Sequence, residues 1–133
     1  MIIDQELLDS LTAQAKASPR LRVNFDLRNS REDRSQRMLN AIEPGTRIPI
    51  HRHPNTSETV VALRGRLREY FYDDPNMPEV SVFDLAPGSP CVAINVPAGR
   101  WHKVVSLESG TVLLETKDGP YEPLGEKDRI GDE

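Results

Sequence analysis

"GTRIPIHRHPNTSETVVALRG", residues 45–65, carries two of the chain's three histidines, His51 and His53, one residue apart, with Glu58 close behind. On an extended strand, side chains at i and i+2 share a face and stand about 6.5 Å apart along the backbone. His51 and His53 therefore point the same way, close enough to share one metal ion. Pro54-Asn55-Thr56-Ser57 turns the chain, and Glu58 opens the next strand, where its carboxylate can complete a facial set of ligands. Imidazole suits zinc, copper, iron and nickel, and the added carboxylate oxygen extends the choice toward iron(II) and manganese. A short turn on a rigid sheet supplies the preorganisation such a site requires.

The third histidine, His102, closes "PAGRWH" at residues 97–102, far along the chain. It needs a tertiary argument: in a closed barrel, distant strands face one another across a narrow interior. The rest of the chain provides the strands. "RLRVNFDL" (20–27) alternates, with Leu21, Val23, Phe25 and Leu27 on one face and Arg20, Arg22, Asn24 and Asp26 on the other. Short runs rich in β-branched and aromatic residues follow: "RMLNAI" (37–42), "TRIPI" (46–50), "TVVALR" (59–64), "RLREYFY" (66–72), "EVSVFDL" (79–85), "CVAINV" (91–96), "WHKVVSL" (101–107) and "TVLLETK" (111–117). Pro- and Gly-bearing turns punctuate them at Pro44-Gly45, Gly65, "DDPNMP", "APGSP", "PAG" and "ESG". Many short strands at this spacing indicate an all-β sandwich or barrel. The N-terminus reads as helical: Leu7, Leu8, Leu11 and Ala15 recur at helical spacing, Asp4 is the candidate N-cap, and Pro19 stops the helix near Ala17 or Ser18. "RMLNAI", read as a strand, is also compatible with a helix by propensity.

Composition narrows the class. The 133 residues suit one domain. Apolar residues make up 37% and aromatics 5%, so the core is lean and aliphatic. A net charge of −4 argues against a nucleic-acid surface and gives no reason to expect an anionic-membrane binder. A lone cysteine, Cys91, forbids an internal disulfide and suits a reducing compartment. Acidic residues in "MIIDQELLDS" oppose a signal peptide, and no apolar run approaches a membrane span. The expectation is a cytoplasmic protein of one domain over 1–133: a helix and strand arm at 1–30, a barrel core at about 37–117, and a loosely held acidic tail at 118–133.

The first stretch fits the first cupin motif throughout: Gly45, five residues, His51-x-His53, four residues, Glu58, six residues, Gly65. "PAGRWH" fits the second from Pro97 through Gly99 to His102, although Cys91 and Ser106 stand where that motif has glycine and asparagine. More of the chain, from "LLDSL" and "SPRLRVNFDL" through "QRMLNAIEPGT", "HRHP", "LRGRL" and "PAGRWH" to "GPYEPL", resembles the WbuC-like cupin-fold metalloproteins, small bacterial proteins often encoded among surface-polysaccharide genes. The resemblance implies a small antiparallel jelly-roll barrel with one N-terminal helix. It also implies one divalent first-row ion (Fe, Mn, Ni or Zn) held by His51, His53, Glu58 and His102.

Arg47 shares strand parity with His51 and His53, so it is a candidate contact for an anionic ligand, and Asn40 and Tyr70 are further candidates. Trp101 should point away from His102's face, and Arg64, Arg66 and Arg68 form a solvated or interface stripe. No ATP loop or dinucleotide fingerprint is present. Two function classes remain. One is a metal-dependent enzyme, of the isomerase or oxygenase type, acting on a carbohydrate-derived or other anionic metabolite. The other is a non-catalytic module that binds or senses such a metabolite. The alternating strand at 21–27 needs a covered edge, which predicts a homodimer.

Overall fold

The computed structural model describes residues 1–131. Among them the single α-helix, α1, spans Gln5–Ala17, and Asp4 caps it by accepting a hydrogen bond from the Leu7 amide at 3.0 Å. Ten strands follow: β1 (Arg22–Asp26), β2 (Arg37–Ile42), β3 (Ile50–His51), β4 (Glu58–Arg64), β5 (Leu67–Tyr72), β6 (Ser81–Leu85), β7 (Ala93–Val96), β8 (Trp101–Ser106), β9 (Thr111–Lys117) and β10 (Arg129–Ile130). They form two five-stranded sheets, ordered β1-β2-β9-β4-β7 and β10-β3-β8-β5-β6. Every described pairing is antiparallel, and none joins the two sheets. The architecture is the expected all-β jelly roll with one helix.

The alternation of β1 decides how the first sheet is covered. Val23, Phe25 and Leu27 pack with Leu39, Ala41 and Val112 beneath the helix residues Leu8, Leu11 and Ala15. A 13-residue helix is marginal by itself. Burying Leu8 and Leu11, at 3% and 2% exposure, contributes about 2 kcal/mol each and holds it on the sheet. The polar face of β1, with Arg22, Asn24 and Asp26, consequently turns inward and lines the cavity between the sheets.

The strands that cross this interior change character along their length. Inward positions run Ala62, Val60, Glu58 on β4, Leu67, Glu69 on β5, Ile42, Asn40 on β2, and Leu113, Glu115, Lys117 on β9. Their apolar ends meet as one buried cluster of Ile42, Val60, Ala62, Leu67, Leu85 and Leu113. Their polar ends open onto the cavity. One end of the jelly roll is therefore a packed plug, and the other is a site.

The tail departs from expectation. Glu126–Asp128 forms a 3-10 turn, β10 pairs with β3, and Pro120, Tyr121, Pro123 and Leu124 line the cavity. The final two residues of the expected tail lie outside those described. Asp128, 5% exposed, accepts from Arg52 Nε at 2.9 Å, and its carbonyl accepts from the Arg52 amide at 2.9 Å. Asn55 Nδ2 also donates to Glu122 Oε2 at 3.0 Å. An acidic stretch without apolar period reads as loosely held; these partners, both on the opening stretch, hold it in place. Replacing Asp128 with alanine should remove a buried charge-assisted bond and cost about 2 kcal/mol. Thermal unfolding of the variant checks this, and an unchanged midpoint would mean that the tail adds nothing to stability.

Candidate metal centre

β3 is only two residues long, because Pro49 and Pro54 cannot donate to a ladder. His51 lies on that strand, and His53 lies just beyond it, held by its carbonyl accepting from the Gly99 amide at 2.8 Å. The shared face survives although the regular strand does not: both side chains line the cavity. His102 arrives on β8, directly opposite His51 in the ladder. The ring centroids lie 4.3 Å apart for His51 and His102, 5.0 Å for His51 and His53, and 5.9 Å for His53 and His102. One ring nitrogen from each of the three falls within 4.8 Å of the others.

Glu58 completes the group. Its Oε1 lies 2.9 Å from His102 Nε2, and its Oε2 lies 3.6 Å from His53 Nε2. Oε2 is buried and has no hydrogen-bond partner. Lys117 Nζ stands 3.7 Å from that oxygen and 3.2 Å from Glu115 Oε2.

Burial sets the protonation. It depresses His51 to about 3, with the charge of His102 adding to the effect. It also brings His53 down to about 4, against the opposing pull of Glu58. Both rings are therefore neutral at neutral pH, as ligands must be. For His102, burial again favours the neutral ring, but the hydrogen bond and charge of Glu58 outweigh it and carry the group up to about 9. Burial would raise Glu58, yet His102 and Lys117 hold it well below the usual carboxylate range.

The donor set fits a divalent ion. Nδ1 of His51 lies 2.9 Å from the Pro49 carbonyl, and Nδ1 of His102 lies 2.9 Å from the Arg100 carbonyl. Such backbone acceptors fix the ring and leave Nε2 for a metal. Donors around one ion at about 2.1 Å stand about 3.0–3.4 Å apart in neighbouring positions. The two carboxylate–imidazole separations bracket that range.

The His102–Glu58 pair makes the stability of chelator-treated protein pH-dependent. The folded pKa of His102 lies above its unfolded value near 6.5, so its contribution is complete below pH 6.5 and is lost as pH rises through about 9. A loss on the order of 3 kcal/mol is expected across that window. His51 and His53 act in the opposite sense, costing stability as pH falls below 6.5. Denaturant midpoints at pH 6.5 and 9.5 test this; equal midpoints would contradict the buried charged pair.

Of the other expected contacts, Asn40 lines the cavity, with Nδ2 at 3.5 Å from Glu115 Oε2. Arg47 and Tyr70 do not line it. Arg47 is exposed on a connection that is not a strand, so the parity assigned to it has no basis. Tyr70 falls on the outer face of β5, under Lys103 Nζ at 4.9 Å from the ring. Trp101 stays outside the cavity and carries the Arg52 guanidinium 4.6 Å from its ring. The arginine stripe binds acidic partners: Arg64 pairs with Asp9 of the helix, and Arg66 and Arg68 with Asp84.

Two further carboxyl groups lie inside: Glu69, which sequence reasoning missed, and Glu115, which it could not place. Glu69 is 1% exposed, and its Oε2 has no hydrogen-bond partner. Burial pushes it up to about 8, with help from the charges of Glu58 and Glu115. Glu115 is likewise raised by burial and by Glu58. The signal was parity: Glu69 shares a strand face with Leu67 and Phe71, and Glu115 with Leu113.

The chain resembles solved structures of the cupin fold at low identity. TT1209 from Thermus thermophilus matches with a TM-score of 0.63 at 24% identity, over 90% of this chain and 98% of that one. KdgF from Halomonas sp. gives 0.59 at 15%, over 79% and 84%. Oxalate oxidase in complex with the substrate analogue glycolate gives 0.62 at 14%, over 77% of this chain and 53% of that one. No curated protein matches significantly. No helix among the described residues is long and apolar enough to cross a membrane. The family model described as a domain of unknown function (DUF6016) matches residues 3–80, more than half of the chain. This cupin-fold chain, with a histidine and glutamate cluster able to hold a divalent metal, belongs to the DUF6016 family.

Proposed function

We propose that this chain is a metalloenzyme that binds one divalent first-row ion through His51, His53, Glu58 and His102 and acts on a carbohydrate-derived or other anionic small molecule. It works as one domain in the cytoplasm, as a homodimer, in the manner of the WbuC-like proteins its motifs resemble. The observation that carries the reading is the convergence of three imidazoles and a carboxylate in a cavity of about 760 Å³. That volume suits a metabolite.

A bound ion would supply Lewis acidity, polarising a carbonyl or hydroxyl group or activating water or dioxygen. The chain's own residues do the rest. Arg22 gives the wall positive charge suited to a carboxylate or phosphate, and Asn24 and Asn40 offer amides to hydroxyl groups. Glu115, buried beside Asn40 and Lys117, is placed to hold or pass a proton at its carboxyl oxygen. Residues Pro120 to Leu124 form one wall of the cavity. Glycolate in the oxalate oxidase structure, a small hydroxy acid, is in keeping with an anionic ligand on this fold.

Glu115 also favours the enzyme over the binding module, since an anchoring site needs no buried proton carrier. Metal-loaded protein incubated with sugar-derived acids should show turnover that Glu115→Gln lowers by at least about tenfold. Tight binding without turnover would instead establish the binding module. Sedimentation at micromolar concentration tests the dimer, which would cover the edge strand β1.

A further inference from the structure

We propose that Glu69 is a fifth protein ligand of the ion held by His51, His53, Glu58 and His102, so that the centre contains two carboxylates. The inference rests on the metal-binding reading above and extends it to a residue outside both cupin motifs.

Glu69 projects from β5 into the cavity, at 1% exposure, with Oε2 buried and without a hydrogen-bond partner. A buried, unsatisfied carboxyl group is costly, and one that persists calls for a partner that the protein atoms do not supply. The geometry points to which partner. One ligand atom each from Glu58, Glu69 and His102 lies within 4.8 Å of the others, just as one from each of the three histidines does. His102 belongs to both groups, and Glu58 already reaches His53 and His102, so the two groups describe one centre. Donors on opposite sides of an ion bound at about 2.1–2.2 Å stand about 4.2–4.4 Å apart. The 4.8 Å limit on the group is of that order.

Charge points the same way. Lys117 and Glu115 form a pair at 3.2 Å that balances itself. As ligands, Glu58 and Glu69 would be ionised together, and a divalent ion would neutralise their two negative charges inside a region with little solvent. With Glu58 as the only acidic ligand, the centre would keep a net positive charge. The second carboxylate also alters metal choice, since added oxygen donors and a higher coordination number favour manganese(II) or iron(II) over tetrahedral zinc.

The test titrates chelator-treated protein with manganese(II) and, separately, zinc(II), using competition with a metal-sensitive dye. Glu69→Gln should weaken manganese(II) by at least about tenfold and zinc(II) by much less, whereas His102→Ala should weaken both. Unchanged manganese(II) affinity in Glu69→Gln, with binding still lost in His102→Ala, would overturn the role of Glu69 and leave the four-ligand centre standing. Failure of the wild-type chain to bind either ion would overturn both readings. A crystal structure of the wild-type chain loaded with manganese(II) gives an answer that does not depend on the variant's folding. A Glu69 oxygen about 2.2 Å from the ion supports the proposal, and one beyond about 3 Å overturns it.

Discussion

Glu58→Ala is expected to abolish tight metal binding and to lower the stability of the chelator-treated protein by about 3 kcal/mol at pH 7. The two effects have separate causes. Among the described residues, Glu58 is the only acidic one within 3.6 Å of two of the site's histidines, at 2.9 Å from His102 and 3.6 Å from His53, so its loss removes a ligand and the charge that attracts a cation. It is also the hydrogen-bonding partner of His102, which is 2% exposed, and it stands 3.7 Å from the ammonium of Lys117. Without the carboxylate, a buried imidazolium has no compensating charge, and the ring must give up its proton or leave the interior. The penalty should therefore shrink as pH rises through about 9, where His102 is neutral in the wild type as well. Denaturation at pH 7 and pH 10 with paired metal titrations measures both effects. A variant that retains stability at pH 7 would contradict the charged pair, and one that retains metal would remove Glu58 from the ligand set.

Gly65→Ala should cost at least about 3 kcal/mol, through backbone strain and overlap together. Gly65 joins β4 to β5 at φ +79°, in the left-handed region that disfavours a side chain. An added Cβ would lie 2.7 Å from the Cα of Thr111 and 3.0 Å from its Cβ. Those are atoms of β9, and a backbone atom cannot move aside as the tip of a long side chain can. Thr111 is 0% exposed, and its Oγ1 donates to the Glu108 carbonyl at 2.7 Å and accepts from the Arg66 amide at 3.2 Å. Any shift that relieves the contact therefore disturbs the turn that sets the register of β4 against β9, and with it the alignment of Glu58 opposite Lys117. Thermal unfolding checks the expectation. A midpoint within about 2 °C of wild type would mean that the turn relaxes freely.

Much of the fold was legible because strand alternation and turn chemistry are local. The β1 pattern separated Val23 and Phe25 from Arg22 and Asn24 correctly. What a local pattern lacks is the identity of the covering layer. The apolar face of β1 packs beneath a helix, and the polar face lines a cavity rather than bulk solvent. The convergence of His51, His53, Glu58 and His102 on one cavity was readable from their motif spacing. Arg47 was misread because Pro49 interrupts the strand on which its parity depended. Glu69 and Glu115 went unplaced because a charged residue at an inward position is judged by its surroundings, and those come from four different strands. The tail was read as loosely held because the partners that hold it, Arg52 and Asn55, lie far away in sequence.

The central claim is that His51, His53, Glu58 and His102 hold one divalent ion, and elemental analysis of protein purified without chelator tests it most directly. The wild-type chain should carry close to one equivalent of iron, manganese, nickel or zinc, and His51→Ala and His102→Ala should each carry almost none while remaining folded. Equal metal content in the wild type and both variants would mean that the histidines are not ligands, and the enzymatic reading would lose its chemical basis.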